Sequence, residues 1–195
     1  MTADVRIEID GTEVTLHAPY NESLPPAARA LGGRWDAKHK AWTFDARDEE
    51  RVRDLARKTF GTDGSPETAG DLVTVRVRLI DHLIGQPGAA HGRSAEFGGR
   101  RIAERRHRDE TVTLAPGVVL VEGTLPATGG SMSNPRIAPP DDAVVEIRDI
   151  PRAALSVEHP THYQIVGEKI DTAALAAERD RLTTRIAEID ALLAR

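Results

Sequence analysis

At 195 residues the chain has material for one ordinary domain or two small ones, which excludes a large multidomain enzyme. Lys+Arg 26 against Asp+Glu 31 leave a formal charge of -5, so the surface as a whole is no polyanion-binding glove and any nucleic-acid contact has to be local. The absence of cysteine removes disulfides, thiolate nucleophiles and thiolate zinc sites, and fits a reducing cytoplasm.

Asp4, Arg6, Glu8 and Asp10 sit inside an alternating pattern, unlike the apolar run of a secretion signal. No segment approaches the ~18 apolar residues of a membrane span. A soluble cytoplasmic protein with no membrane partner is expected. Val5, Ile7 and Ile9, then Val14 to His17 after Gly11, predict a hairpin. A helix follows from Asn21 to Leu31, capped by Asn21 or Ser23 and stopped by Gly32-Gly33. Arg34 to Phe44 predicts a second hairpin around Lys38-His39, with Trp35 joining Trp42 and Phe44 in the core. Asp45 or Asp48 starts a helix whose Val52, Leu55, Ala56 and Phe60 share a stripe, and Gly61 ends it.

These elements define an α+β unit over residues 1–61, expected to fold on its own. Residues 62–70, polar and containing Gly and Pro, read as a linker and hinge. Residues 71–170 read as mainly β: Val73, Val75, Val77 and Leu79 alternate with polar neighbours, and Thr111 to Leu114, Val118 to Glu122 and Val144 to Ile150 give further strands. Gly85 to Gly99 and Gly123 to Pro140 read as long Gly/Pro-rich loops. Residues 171–195 predict an amphipathic helix capped by Asp171 or Thr172. Leu175, Leu182 and Ile189 recur every seven residues, Ile186 and Leu193 fill the alternate seam position, and Arg179 breaks it. The stripe either packs on the protein's own sheet or makes a homo-oligomer.

Nucleotide-binding and hydrolase motifs are absent: no G-x-G-x-x-G, Walker A or G-x-S-x-G occurs. No catalytic residue, cofactor or metal is assigned. His159 and His162 could take Glu158 or Glu168 as a third metal ligand, but Pro160 between them favours an irregular loop, and Asp81-His82 on a strand would point to opposite faces. The strongest chemical signal is cationic. Arg93, Arg100, Arg101, Arg105, Arg106 and Arg108 meet only Glu96 and Glu104 within their own segment, and guanidinium suits phosphate. Such a loop either follows a polyanion or is solvated and paired with Asp109, Glu110, Asp141 and Asp142. In the first case Arg100, Arg101, Arg105 and Arg106 are dispensable for stability. A second cationic site, Arg34, Lys38 and Lys40, surrounds the aromatic hairpin and suits backbone contact with base stacking.

Val14-Thr-Leu-His-Ala-Pro-Tyr-Asn-Glu-Ser, Ala27-Ala-Arg-Ala-Leu-Gly-Gly-Arg-Trp-Asp36 and Lys40-Ala-Trp-Thr-Phe44 together carry a family resemblance. Residues 14–60 resemble a small domain of unknown function found beside primase-like and antirestriction-type proteins of plasmids and phages. They are more distantly similar to the HARP module of annealing helicases. Arg29 stands where that domain usually has lysine. The resemblance implies a non-enzymatic nucleic-acid-binding accessory protein of a mobile element, phage or its host. The alternative is a host-phage conflict protein that grips an acidic protein or a phosphorylated nucleotide signal.

Overall fold

Alternation puts Val14 and Leu16 on one face of β2 (Glu13–His17), and Phe44 and Trp42 of β4 (Ala41–Asp45) lie opposite them in the ladder. With β1 (Arg6–Asp10) and β3 (Arg34–Asp36) they form an antiparallel sheet in the order β1-β2-β4-β3. Helices α1 (Leu24–Ala30) and α2 (Glu49–Phe60) bring Leu24, Ala28, Val52, Ala56 and Phe60 onto that face. The prolines of α1 fall in its first turn, where a missing N–H costs nothing, and Asn21 Oδ1 accepts the Ser23 and Leu24 amides at 2.8 and 3.2 Å. These features are seen in a computed structural model that describes residues 5–84, 92–167 and 172–193.

A second core lies beyond α3 (Pro66–Ala69), where β5 (Leu72–Arg78) turns Val73, Val75 and Val77 inward. Its sheet has the order β10-β11-β5-β12, with β10 at Val118–Glu122, β11 at Val144–Pro151 and β12 at Gln164–Ile165. A further sheet, β6-β7-β8-β9, uses Leu83–Ile84, Ser94–Phe97, Arg100–Glu104 and Thr113–Leu114. The chain is thus α+β, built on three antiparallel sheets among the described residues.

The third sheet corrects the sequence reading. Residues 94–97 were expected in a loop, and 100–104 in an arginine-rich extension of it. Instead Gly98 and Gly99, at φ 57° and 70°, form a two-residue reversal of the kind that suits the twist of a hairpin, and Phe97 pairs with Arg100 across it. Residues 85–91, the other half of that expected loop, lie outside the described residues. The long connection 123–140 is present, but Ile137 within it is fully buried in the second core.

Residues 62–70, expected as a linker, hold the short helix α3 and a bonded turn. Asp63, 3% exposed, accepts the Ser65 amide at 3.0 Å and Arg57 Nη2 at 2.8 Å. Burial pushes its carboxyl up, but the bonds from Ser65, Arg57 and Thr68 outweigh that and hold it well below the usual carboxylate range. The two cores meet at this packed segment. The final helix, α4 (Thr172–Leu193), exposes every one of its described side chains; the surroundings of Leu175 lie outside them.

Candidate nucleic-acid interface

Trp35 and Trp42 face each other across β3 and β4, with ring centroids 5.5 Å apart at 58°. Trp42 is 5% exposed, whereas Trp35 is 51% exposed, because three-residue β3 is the edge of the sheet. The expectation that Trp35 joins the core is therefore corrected: its ring leans on a buried partner and presents its other side to solvent. Tyr20, 58% exposed, lines a cavity of about 260 Å³ together with Pro19, Pro25, Arg29, Trp35 and Trp42. The Arg29 guanidinium lies 5.5 Å from the Trp42 ring centroid, and that of Arg101 lies 4.3 Å from the Tyr20 centroid.

The turn after β3 arranges the other cations. Asp36 Oδ1 accepts the Lys38 and His39 amides at 2.8 and 3.2 Å, and Asp36 Oδ2 lies 2.5 Å from His39 Nδ1. The His39 contact holds the Asp36 carboxyl below its ordinary value. Asp36 thereby fixes the turn that carries Lys38 and Lys40, both exposed, with Lys40 in the left-handed region at φ 52°. Arg34 is exposed at the start of β3. Arg34, Lys38 and Lys40 thus sit on the hairpin that bears Trp35.

The arginine segment behaves differently from its reading as a solvent-facing loop. Arg105 is fully buried, and its guanidinium donates to the carbonyl oxygens of Glu110, Ala127 at 3.0 Å and Pro126 at 2.6 Å. Arg100 is 5% exposed on β8. Neither is placed to follow a phosphate backbone. Arg93, Arg101 and Arg106 approach Glu104 at 3.9, 3.3 and 3.7 Å, and Arg108 holds Asp109 at 2.8 Å. Of the six, Arg101 is the one the fold carries to the aromatic face. Tyr20 and Arg29 were missed as site residues; Pro19-Tyr20 directly before the helix and Arg29 in the Ala-Arg-Ala run were the available signals.

Behind this face the two cores are fastened together. Asn21 Nδ2 donates to Glu96 Oε2 at 3.2 Å and to the Gly99 carbonyl at 3.1 Å. Burial, then the negative charges of Glu22 and Glu158, push the Glu96 carboxyl up to about 7, against a lowering by Arg101. The folded chain therefore favours protonated Glu96, while the unfolded chain ionises it near 4.5. Stability from this group is full below pH 4.5 and lost as pH rises to about 7. Glu96→Gln is expected to raise the melting temperature at pH 8, to leave it nearly unchanged near pH 4, and so to flatten the pH profile. An unchanged melting temperature at pH 8 would refute the assignment.

His82 lies at the end of a 3-10 turn, Leu79–His82, rather than on a strand, and it is buried. Its Nε2 is 3.2 Å from the His162 carbonyl oxygen and its Nδ1 3.5 Å from Glu158 Oε2, while Asp81 turns outward to Arg78 at 2.9 Å. The His159 and His162 rings are 5.1 Å apart. Among the described residues, no group of three His, Asp or Glu is placed to hold a metal ion. No helix of the described residues is long and apolar enough to cross a membrane. No family model, curated protein or solved structure matches the chain.

Proposed function

We propose that this chain is a non-enzymatic accessory protein that binds single-stranded nucleic acid through the Tyr20–Trp35 face. The observation that carries the reading is that half-exposed Trp35 and exposed Tyr20 line one cavity, in a protein with only two tryptophans and two tyrosines. Bases stack on such rings regardless of sequence, while Arg29, Arg34, Lys38, Lys40 and Arg101 supply phosphate contacts around them. No recognition-helix pattern presents base-reading side chains, so the binding is of modest affinity and weak sequence preference. The setting in a mobile element, phage or its host rests on the family resemblance of residues 14–60.

Trp42 is buried, so quenching of tryptophan emission on titration with a labelled oligo-dT reports Trp35. Expected at about 50 mM salt is binding that weakens steeply as salt rises. Trp35→Ala should weaken it by roughly 1–3 kcal/mol, and Lys38→Ala with Lys40→Ala should reduce the salt slope. Absence of binding to single-stranded DNA and RNA at low salt would overturn the reading.

The second reading, a phosphorylated small ligand, is favoured by a different place. A cavity of about 540 Å³ between the two cores is lined by Arg6, Arg100 and Arg148, with Val5, Leu72 and Pro151 as apolar wall. Nucleoside phosphates that raise the melting temperature while leaving Trp35 emission unchanged would support it over the first.

A further inference from the structure

The C-terminal helix carries an apolar stripe that the described residues leave uncovered. Leu182, Ile186, Ile189 and Leu193 are between 42% and 80% exposed, whereas most other described leucines and isoleucines are buried or half-buried. Their spacing assigns Leu182 and Ile189 to position d, and Ile186 and Leu193 to position a, of a heptad repeat. The same frame puts Arg179 at a, Arg185 at g and Asp190 at e.

We propose that α4 pairs with α4 of a second copy of this chain as a parallel, in-register, two-stranded coiled coil. Charge complementarity favours a second copy and the parallel direction, although Arg185 Nη1 also lies 2.7 Å from Glu188 Oε2 on its own helix. In a parallel pair a g residue faces the e residue five positions later on the partner, so Arg185 meets Asp190 twice, once on each side of the seam. An antiparallel pair overlapped along the same stripe sets Arg185 against its own copy. Arg179 does not forbid the parallel arrangement: its Nη2 lies 2.7 Å from Asp180 Oδ1 on the same helix, and an a-position side chain of that length reaches solvent at the edge of a two-stranded seam. The described side chains of α4 are all exposed, so pairing through Leu182, Ile186, Ile189 and Leu193 uncovers none of them from either core. About three heptads make a weak dimer, so it is concentration-dependent.

The cysteine-free chain permits a direct test on the full-length protein. Ile186→Cys should form a disulfide-linked dimer under mild oxidation, since equivalent a positions in a parallel pair lie within the span of a disulfide. In the antiparallel pair residue 186 faces residue 182, so a mixture of Ile186→Cys and Leu182→Cys chains would cross-link instead. Arg185→Asp should weaken the dimer about five- to tenfold by sedimentation, and adding Asp190→Arg should restore it. The melting curve of the body should be unchanged in each variant. A monomeric mass at roughly 100 μM, where a weak dimer is populated, or cross-linking only in the mixed chains, overturns the proposal.

Discussion

Arg105→Ala is expected to lower the melting temperature by roughly 6–20 °C, the largest effect of any single arginine in the chain. The guanidinium is fully enclosed, and the Glu110, Ala127 and Pro126 carbonyls point at it. Removing the side chain leaves those acceptors without their donor and opens a void of arginine size. Breaking a buried charged hydrogen-bond network costs about 3–5 kcal/mol. Arg105→Lys rescues little, because one ammonium cannot reach acceptors spread over two segments. Arg106→Ala is the comparison: that side chain is exposed, so its loss should stay within about 0.5 kcal/mol. Thermal unfolding followed by circular dichroism decides the matter. Equal melting of the two variants would show that Arg105 is not the clasp between β8 and the 123–140 connection. Arg100, Arg101, Arg105 and Arg106 are not dispensable together for stability, since two of the four are buried.

Gly99→Ala is expected to destabilise the fold by about 2–4 kcal/mol in urea titration. Gly99 has φ 70°, and a methyl group there would stand 2.2 Å from the Thr59 carbonyl oxygen and 2.8 Å from the Phe60 ring. Thr59 and Phe60 end α2, whereas Gly99 turns the β7–β8 hairpin, so the substitution wedges one core away from the other. Gly11→Ala separates backbone strain from this wedge. Its φ is 57° with nothing within 4 Å, and only the cost of the left-handed conformation, about 1–2 kcal/mol, should appear. If the two variants lose equal stability, the contact between α2 and the hairpin contributes nothing measurable.

The α+β class, the paired hairpins of the first sheet, α1 with its Asn21 cap, α2 and the β5, β10 and β11 strands were all legible in the residues. Each depends on side chains within one or two turns of each other: alternation in Val73 to Val77, a 3.6-residue stripe in Val52 to Phe60, a glycine at a helix end. The seven-residue repeat of α4 was equally local. The aromatic and basic composition around Trp35 also marked that hairpin as a place to look. What stayed hidden is which face of a residue meets water. An arginine in the run that follows Gly98-Gly99 reads as solvent-facing until Pro126 and Ala127, more than twenty positions from Arg105, bring their carbonyls to it. A tryptophan in a hairpin reads as core until sheet order makes β3 an edge that leaves half of Trp35 uncovered. The cation over Tyr20 likewise arrives from residue 101, after the second core has docked through Asn21 on Glu96 and Gly99. Periodicity is set by backbone geometry over a few residues, whereas burial is set by what the rest of the chain brings alongside.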